Sequence, residues 1–303
     1  MDFNVRNDIE FKADDGTILR GWHYVPGSGA GKYPTIIMAH GYSAVKEMYL
    51  DKFAEKFAEA GLASLVFDHR NFGASDGKIR QEIDPWQQIR DYRDAITYAE
   101  TLSQTDVDRI GVWGSSYSGA HVIVVGATDR RVKCVSSQVP LISGHNNAQR
   151  LVRADFIAGF QAAMAADRRA RYQGEAPAMV PVVSENPAGP AALPTSDSWT
   201  WFTETQKLRA PSWRNEVTLR SVEMFMDYEP GAYLPFVSPT PLQIVVALGD
   251  HLTVADQALA GYEKALHPKR LITLKGGHFD AYIQDFEVAS SASVDWFKQH
   301  LLG

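Results

Sequence analysis

Arg109-Ile110-Gly111-Val112-Trp113-Gly114-Ser115-Ser116-Tyr117-Ser118-Gly119 is the stretch whose reading decides the fold. An apolar run up to Trp113 reads as a strand. A run of small and apolar residues, Ala120 to Ala127, reads as a helix. Between them stands a tight turn with serines at its apex. A serine held there projects its hydroxyl clear of the backbone, and the helix N-terminus behind it offers free amide N–H groups. Gly114-Ser115-Ser116 provides two serines. Ser116 is preferred because it stands two residues after the glycine and directly before the helix, and Ser115 is expected to point into the scaffold.

Outward from this turn the pattern alternates. Residues 3–13 and 17–25 read as two strands joined at Asp14-Asp15-Gly16. Thr35–Ala39 is a continuous apolar run, as expected of a strand buried on both faces, and Ala63–Phe67, Arg109–Trp113 and Val132–Val139 read as further strands. Helical spacing occupies 46–60, 85–102 and 117–127. Asp84-Pro85 supplies an N-cap acid and a first-turn proline. After Pro140 the rhythm breaks. Residues 141–235 show helix-like stretches at 151–172, 198–209 and 216–228, and a Pro/Gly/Ala-rich loop from Gly174 to Pro194. Alternation resumes with strands at Leu242–Leu248 and Arg270–Leu274. Helices follow at 253–266, where Thr253 and Asp256 have the spacing of a capping-box variant, and at 282–301. The expected architecture is a mostly parallel sheet with helices on both faces. A core of 1–140 and 236–303 is interrupted by a helical insertion at 141–235.

The 303 residues are 45% hydrophobic, enough for one large core, and the net charge of −6 lacks the footprint of a polyanion-binding protein. No nucleic-acid partner is expected. The lone Cys134 lies in an apolar strand and reads as core. The mixed, charged N-terminus lacks the apolar core of a secretory signal, and no apolar run approaches the ~20 residues of a membrane span. A cytoplasmic protein without membrane attachment is the expectation; monomer and homodimer are both left open. Pro26-Gly27-Ser28-Gly29-Ala30-Gly31-Lys32 superficially resembles a phosphate loop. Proline replaces its first glycine, Tyr33 replaces Ser/Thr, and a strand follows. No metal or cofactor motif is found.

A serine nucleophile needs a base, and the base needs an acid that orients it. In parallel sheets such groups sit at the C-terminal ends of strands. Two later strand ends qualify. Asp250 follows Leu242–Gly249, with Asp256 as the fallback acid. His278 follows Leu271–Gly277, with His251 as its rival. Oxyanion donors are expected from the backbone N–H of Tyr117, after the serine, and of Tyr42, in the loop His40-Gly41-Tyr42-Ser43.

The order Ser116…Asp250…His278 is that of the α/β-hydrolases. The chain resembles that family along nearly its whole length. The matching stretches are His40-Gly41, Asp68-His69-Arg70-Asn71-Phe72-Gly73, the serine turn, Gly249-Asp250 and Gly276-Gly277-His278. Asp68 and Arg70 match a structural turn of the family and are read as scaffold. Ser118 stands where the family usually carries glycine. The form Gly-x-Ser-Tyr-x-Gly is similar to the branch holding X-Pro dipeptidyl-peptidases and cocaine-esterase-like acyl hydrolases. The resemblance implies an α/β-hydrolase fold with 141–235 as a helical cap.

The reading is a cofactor-independent serine hydrolase acting on a small-molecule carboxylic ester through an acyl-enzyme. An amidase or peptidase, an acyltransferase or a C–C hydrolase would use the same three residues. A ligand-binding protein on the same fold is the non-enzyme alternative. The insertion carries Trp199, Trp201, Phe202, Trp213, Met224, Phe225, Met226, Tyr228 and Tyr233. Of these, Trp199, Trp213, Met224 and Tyr228 are the expected pocket walls. Arg150, Arg153, Arg168, Arg169 and Arg171 read as a solvated basic helix face.

Overall fold

The computed structural model describes residues 5–27, 31–186 and 188–303. Its main sheet has eight strands: β1 (Val5–Lys12), β2 (Ile18–Val25), β3 (Tyr33–Ala39), β4 (Ala63–Phe67), β5 (Thr105–Ser115), β6 (Val132–Gln138), β9 (Leu242–Ala247) and β10 (Lys269–Leu274). They lie in the order β1-β2-β4-β3-β5-β6-β9-β10. β1 with β2 and β2 with β4 are antiparallel; every other neighbouring pair is parallel. The central strands are buried on both faces, with Ile36, Ile37, Met38 and Val112 fully enclosed. This is why they read as unbroken apolar runs rather than alternating ones.

Helices α1 (Leu50–Glu59) and α10 (Phe286–Phe297) cover one face. α2 (Pro85–Glu100), α3 (Tyr117–Thr128) and α9 (Ala255–Lys264) cover the other. Asp84 caps α2 as expected, accepting from the Trp86 and Gln87 amides at 2.9 and 3.2 Å. Cys134 is buried in β6. Of the loop before β3, residues 28–30 lie outside the described residues, as do residues 1–4 at the start of the first expected strand. No helix among the described residues is long and apolar enough to cross a membrane.

Three details depart from the expected elements. α1 begins at Leu50 rather than residue 46, because Lys46 is drawn out of any helix. Its amide and ammonium both donate to the buried carboxylate of Asp68, at 2.8 and 2.7 Å. Thr253 does not cap α9, which starts from Val254 with no side-chain cap. Between β6 and β9 the chain is more divided than its pattern suggested. It forms α4 (Gly144–Leu151), α5 (Ile157–Tyr172), α6 (Ser196–Leu208), α7 (Leu219–Met226) and α8 (Leu234–Val237). A two-residue ribbon also joins β7 (Met179–Val180) to β8 (Val217–Thr218). Strands that short leave no periodic trace. The break between α4 and α5 falls where Val152 and Arg153 turn extended.

Four of the five arginines of the expected basic face are paired with acidic side chains. Arg150 pairs with Asp256, Arg153 with Asp155, Arg168 with Glu223 and Arg171 with Asp167.

Candidate active site

Ser116 sits between the last residue of β5 and the first of α3 with φ 60° and ψ −116°. A non-glycine residue there is strained, and surrounding bonds must hold it. Ser116 N–H donates to Gln138 O at 2.8 Å, and its carbonyl accepts from the Ala120 amide at 3.2 Å. The turn also requires Gly114: a Cβ at that position would come within 2.2 Å of Ser118 O. Ser115 points the other way, as expected. It is fully buried, and its hydroxyl meets Tyr282 Oη at 2.6 Å and Gln138 Nε2 at 3.1 Å.

His278 and Asp250 arrive from the ends of β10 and β9. The imidazole Nδ1 lies 2.7 Å from Asp250 Oδ2. The other carboxylate oxygen, Oδ1, accepts from the Leu252 and Thr253 amides at 2.8 and 2.9 Å. Asp250 therefore both caps its own turn and holds the histidine; the two readings of this acid coexist. With Nδ1 engaged, Nε2 is the nitrogen left to take a proton from a neighbour. His278 and Ser116 border the same small cavity. The fallback residues lie elsewhere. Asp256 is exposed and pairs with Arg150, and His251 is exposed.

Thr253 belongs to this group, although nothing in its sequence context beyond its spacing to Asp256 marks it. Its hydroxyl lies 2.9 Å from Val139 O, 3.0 Å from Asp250 Oδ2 and 3.1 Å from His278 Nδ1. It ties the acid and the base to the end of β6.

The loop after β3 approaches Ser116 closely enough that only glycine fits at position 41. A Cβ there would lie 2.8 Å from Ser116 Cβ and 3.2 Å from its Oγ. This brings the Tyr42 backbone alongside the serine. Tyr117 is the first residue of α3, where amides have no partner within the helix. Tyr42 and Tyr117 both border cavities that reach Ser116. The loop is anchored by side chains. Ser118 Oγ donates to His40 O at 2.5 Å and receives His69 Nε2–H at 2.8 Å. His40 Nε2–H donates to Met48 O at 2.8 Å, and its Nδ1 accepts the Gly41 amide at 2.7 Å. The serine in the usual glycine position thus ties α3 to the ends of β3 and β4. Burial pushes His40 down to about 4 and His69 to about 3, and it lowers His121 well below its usual value. All three are neutral imidazoles. Asp68 holds this loop through Lys46, and Arg70 holds the buried Asp91, so both act as scaffold.

Two small cavities meet at Ser116, each about 10 Å³. The insertion contributes Leu193, Trp201 and Phe202 to one, and Leu151, Leu193 and Phe225 to the other. None of the four expected pocket residues lines either. Trp213 stacks behind Phe202, with ring centroids 4.9 Å apart. The Tyr228 hydroxyl is 3.1 Å from His121 Nδ1, beneath Tyr117. Trp199 and Met224 are half-buried on other faces of their helices. The aromatic string was the right signal, but it was read without helical phase: Trp201 rather than Trp199, and Phe225 rather than Met224, face the serine.

A mostly parallel sheet, a strained serine between strand and helix, and an acid and a histidine at two later strand ends define an α/β hydrolase. The chain belongs to the X-Pro dipeptidyl-peptidase (S15) family, whose model matches residues 15–280. It is 34% identical over 273 residues to the thiohydrolase aneE of Aspergillus aculeatus, covering 88% of this chain and 83% of that protein. It is 31% identical over 297 residues to the polyketide transferase grgF of a Penicillium species, covering 98% and 97%. Among solved structures, the α/β hydrolase GrgF from Penicillium sp. sh18 superimposes with a TM-score of 0.85 at 26% identity, over 99% of this chain and all of that one.

Proposed function

We propose that this protein is a serine acyl hydrolase that cleaves a carboxylic ester or thioester through an acyl-enzyme on Ser116. The observation that carries the proposal is the strained Ser116 sharing a cavity with His278, whose Nδ1 is held 2.7 Å from Asp250. His278 Nε2 takes the Ser116 proton as Oγ attacks the acyl carbonyl. Asp250 keeps the imidazole in the tautomer that can accept it. The Tyr42 and Tyr117 amides receive the developing oxyanion. His278 then protonates the leaving oxygen or sulfur, and a water activated by the same nitrogen releases the acid. Residues 141–235 form the cap that closes over the acyl group.

The names of the relatives, a thiohydrolase and a polyketide transferase, both describe an acyl group leaving one partner for another. An acyl-enzyme serves either outcome, so transfer to an alcohol is the second reading. A dipeptidyl-peptidase activity fits less well. The free amine of a dipeptide would need a carboxylate near the serine, and among the described residues neither cavity at Ser116 is lined by Asp or Glu.

A fluorophosphonate probe should label Ser116 alone. Ser116→Ala should lower turnover of 4-nitrophenyl butyrate by roughly 10⁴-fold or more. Labelling at another residue, or a loss of only about twofold, refutes the assignment. Adding an alcohol and analysing the products separates hydrolysis from transfer.

A further inference from the structure

The two cavities at Ser116 are each about 10 Å³, close to the space of a single water, so they do not hold an acyl chain as they stand. A far larger groove, about 500 Å³, lies within the insertion. Its walls are apolar, including Phe156, Phe160, Ala163 and Val222. Its two charged neighbours, Arg153 and Asp155, neutralise each other at 2.7 Å. The volume falls within the range of about 300–1,000 Å³ typical of small-molecule sites.

The groove and the cavities at the serine adjoin through shared or neighbouring residues. Leu151 lines both the groove and a cavity at Ser116. Leu193 lines both cavities at Ser116, while its neighbours Ala192 and Pro194 line the groove. The backbone of this partition is fixed: the Ala192 and Leu193 amides donate to Pro181 O and Val182 O at 2.9 and 2.8 Å. A chain passing from the serine into the groove would meet the Leu151 and Leu193 side chains.

We propose that this groove binds the distal part of an unbranched aliphatic acyl chain, with Leu151 and Leu193 as the partition that turns aside to admit it. This rests on the reading of Ser116 as the acyl acceptor. The chain is neutral along its length, matching walls with no unpaired charge. It can run from the serine across the partition into the groove. Each methylene buried there raises kcat/KM up to about fourfold, the equivalent of its transfer free energy.

The test uses 4-nitrophenyl esters of acetate, butyrate, octanoate and dodecanoate with the full chain. The wild type should prefer dodecanoate to acetate at least tenfold. Gly159 lines the groove, and a Cβ there meets nothing within 4 Å. Gly159→Trp therefore starts its side chain in open space and projects an indole from the groove wall. It should lower the dodecanoate-to-acetate ratio of kcat/KM at least tenfold. Ala163→Trp, one turn along the same helix, should do likewise if Gly159→Trp folds poorly. Tyr172→Ala, at the exposed end of α5, should leave the ratio unchanged. Binding of radiolabelled dodecanoate to Ser116→Ala, measured by equilibrium dialysis, should weaken at least tenfold when Gly159→Trp is added. Normal turnover of all esters, with a ratio insensitive to both tryptophans, overturns the groove assignment and leaves the serine reading standing. No ester turnover, with dodecanoate binding that Gly159→Trp abolishes, overturns the serine reading and keeps the groove.

Discussion

Lowering the pH from 7.5 to 5.5 should weaken the folded state by about 4 kcal/mol, because buried histidines in and around the site cannot accept protons. His40 is pushed down to about 4, His69 to about 3, and His121 well below its usual value; His23 on β2 is lowered to about 4. Burial is the largest cause in each. In the unfolded chain all four titrate near 6.5. Below that value the unfolded state binds more protons, so stability is intact at neutral pH and falls as pH drops. From pH 7.5 to 5.5 each histidine contributes a loss of about 1.3 kcal/mol, about 5 for the four. Asp91 acts in the opposite sense. Burial raises it to about 6, with Arg70 opposing, so it gains a proton in the folded state. That offsets about 1 kcal/mol. Urea unfolding followed by tryptophan fluorescence reads the difference. With a slope near 3 kcal/mol/M, the midpoint should fall by about 1 M. His121→Gln should remove about a quarter of the histidine contribution. Midpoints at the two pH values within about 0.3 M of each other would refute the account, since the unfolded histidines must titrate. A local consequence follows as well. A proton on His40 Nδ1 would face the Gly41 N–H it now accepts, and the loop carrying Tyr42 would have to move.

Two further outcomes probe the site. Asp250→Asn should lower kcat by several orders of magnitude, whereas Asp256→Asn, on the surface with Arg150, should change it by less than about twofold; the reverse would reassign the acid. Ser118→Gly restores the residue usual in the family, but it leaves His40 O and His69 Nε2–H without their partner. It should cost about 1–3 kcal/mol in urea unfolding and lower kcat more than it raises KM, an unchanged kcat being the contrary result.

The central strands were legible because burial on both faces writes a strand as a mostly apolar run, as in Thr35–Ala39 and Leu242–Leu248; their order in the sheet was not read. The residues brought together at the sheet's edge were legible for a related reason: Ser116, Asp250 and His278 each follow the C-terminal end of a strand. What the sequence did not carry was direction around a helix whose neighbours were unknown. Trp199 and Trp201 are two residues apart and equally aromatic; only the packing of α6 on the core decides that Trp201 reaches the cavity. Thr253 was misassigned because its spacing to Asp256 satisfies a local rule, while its hydroxyl is taken by Asp250, His278 and Val139, the last 114 positions away. Lys46 was absorbed into a helix for the same reason: its partner Asp68 lies just past the end of β4, 22 positions away.

β6 and β9 are adjacent parallel strands, and the whole of α4 to α8 lies in the connection between them. Any two such strands need a crossover, and here α8 still packs against α3 as an ordinary crossover element would. The rest is an enlargement of a link the sheet requires anyway. Closing a longer loop costs only about 0.6 kcal/mol per doubling of its length. The sheet edge that holds the serine, acid and histidine is thus insulated from what is hung above it. Descendants of this chain could exchange the material between Leu141 and Tyr233, and with it the molecules they accept, while keeping the same bond-breaking apparatus.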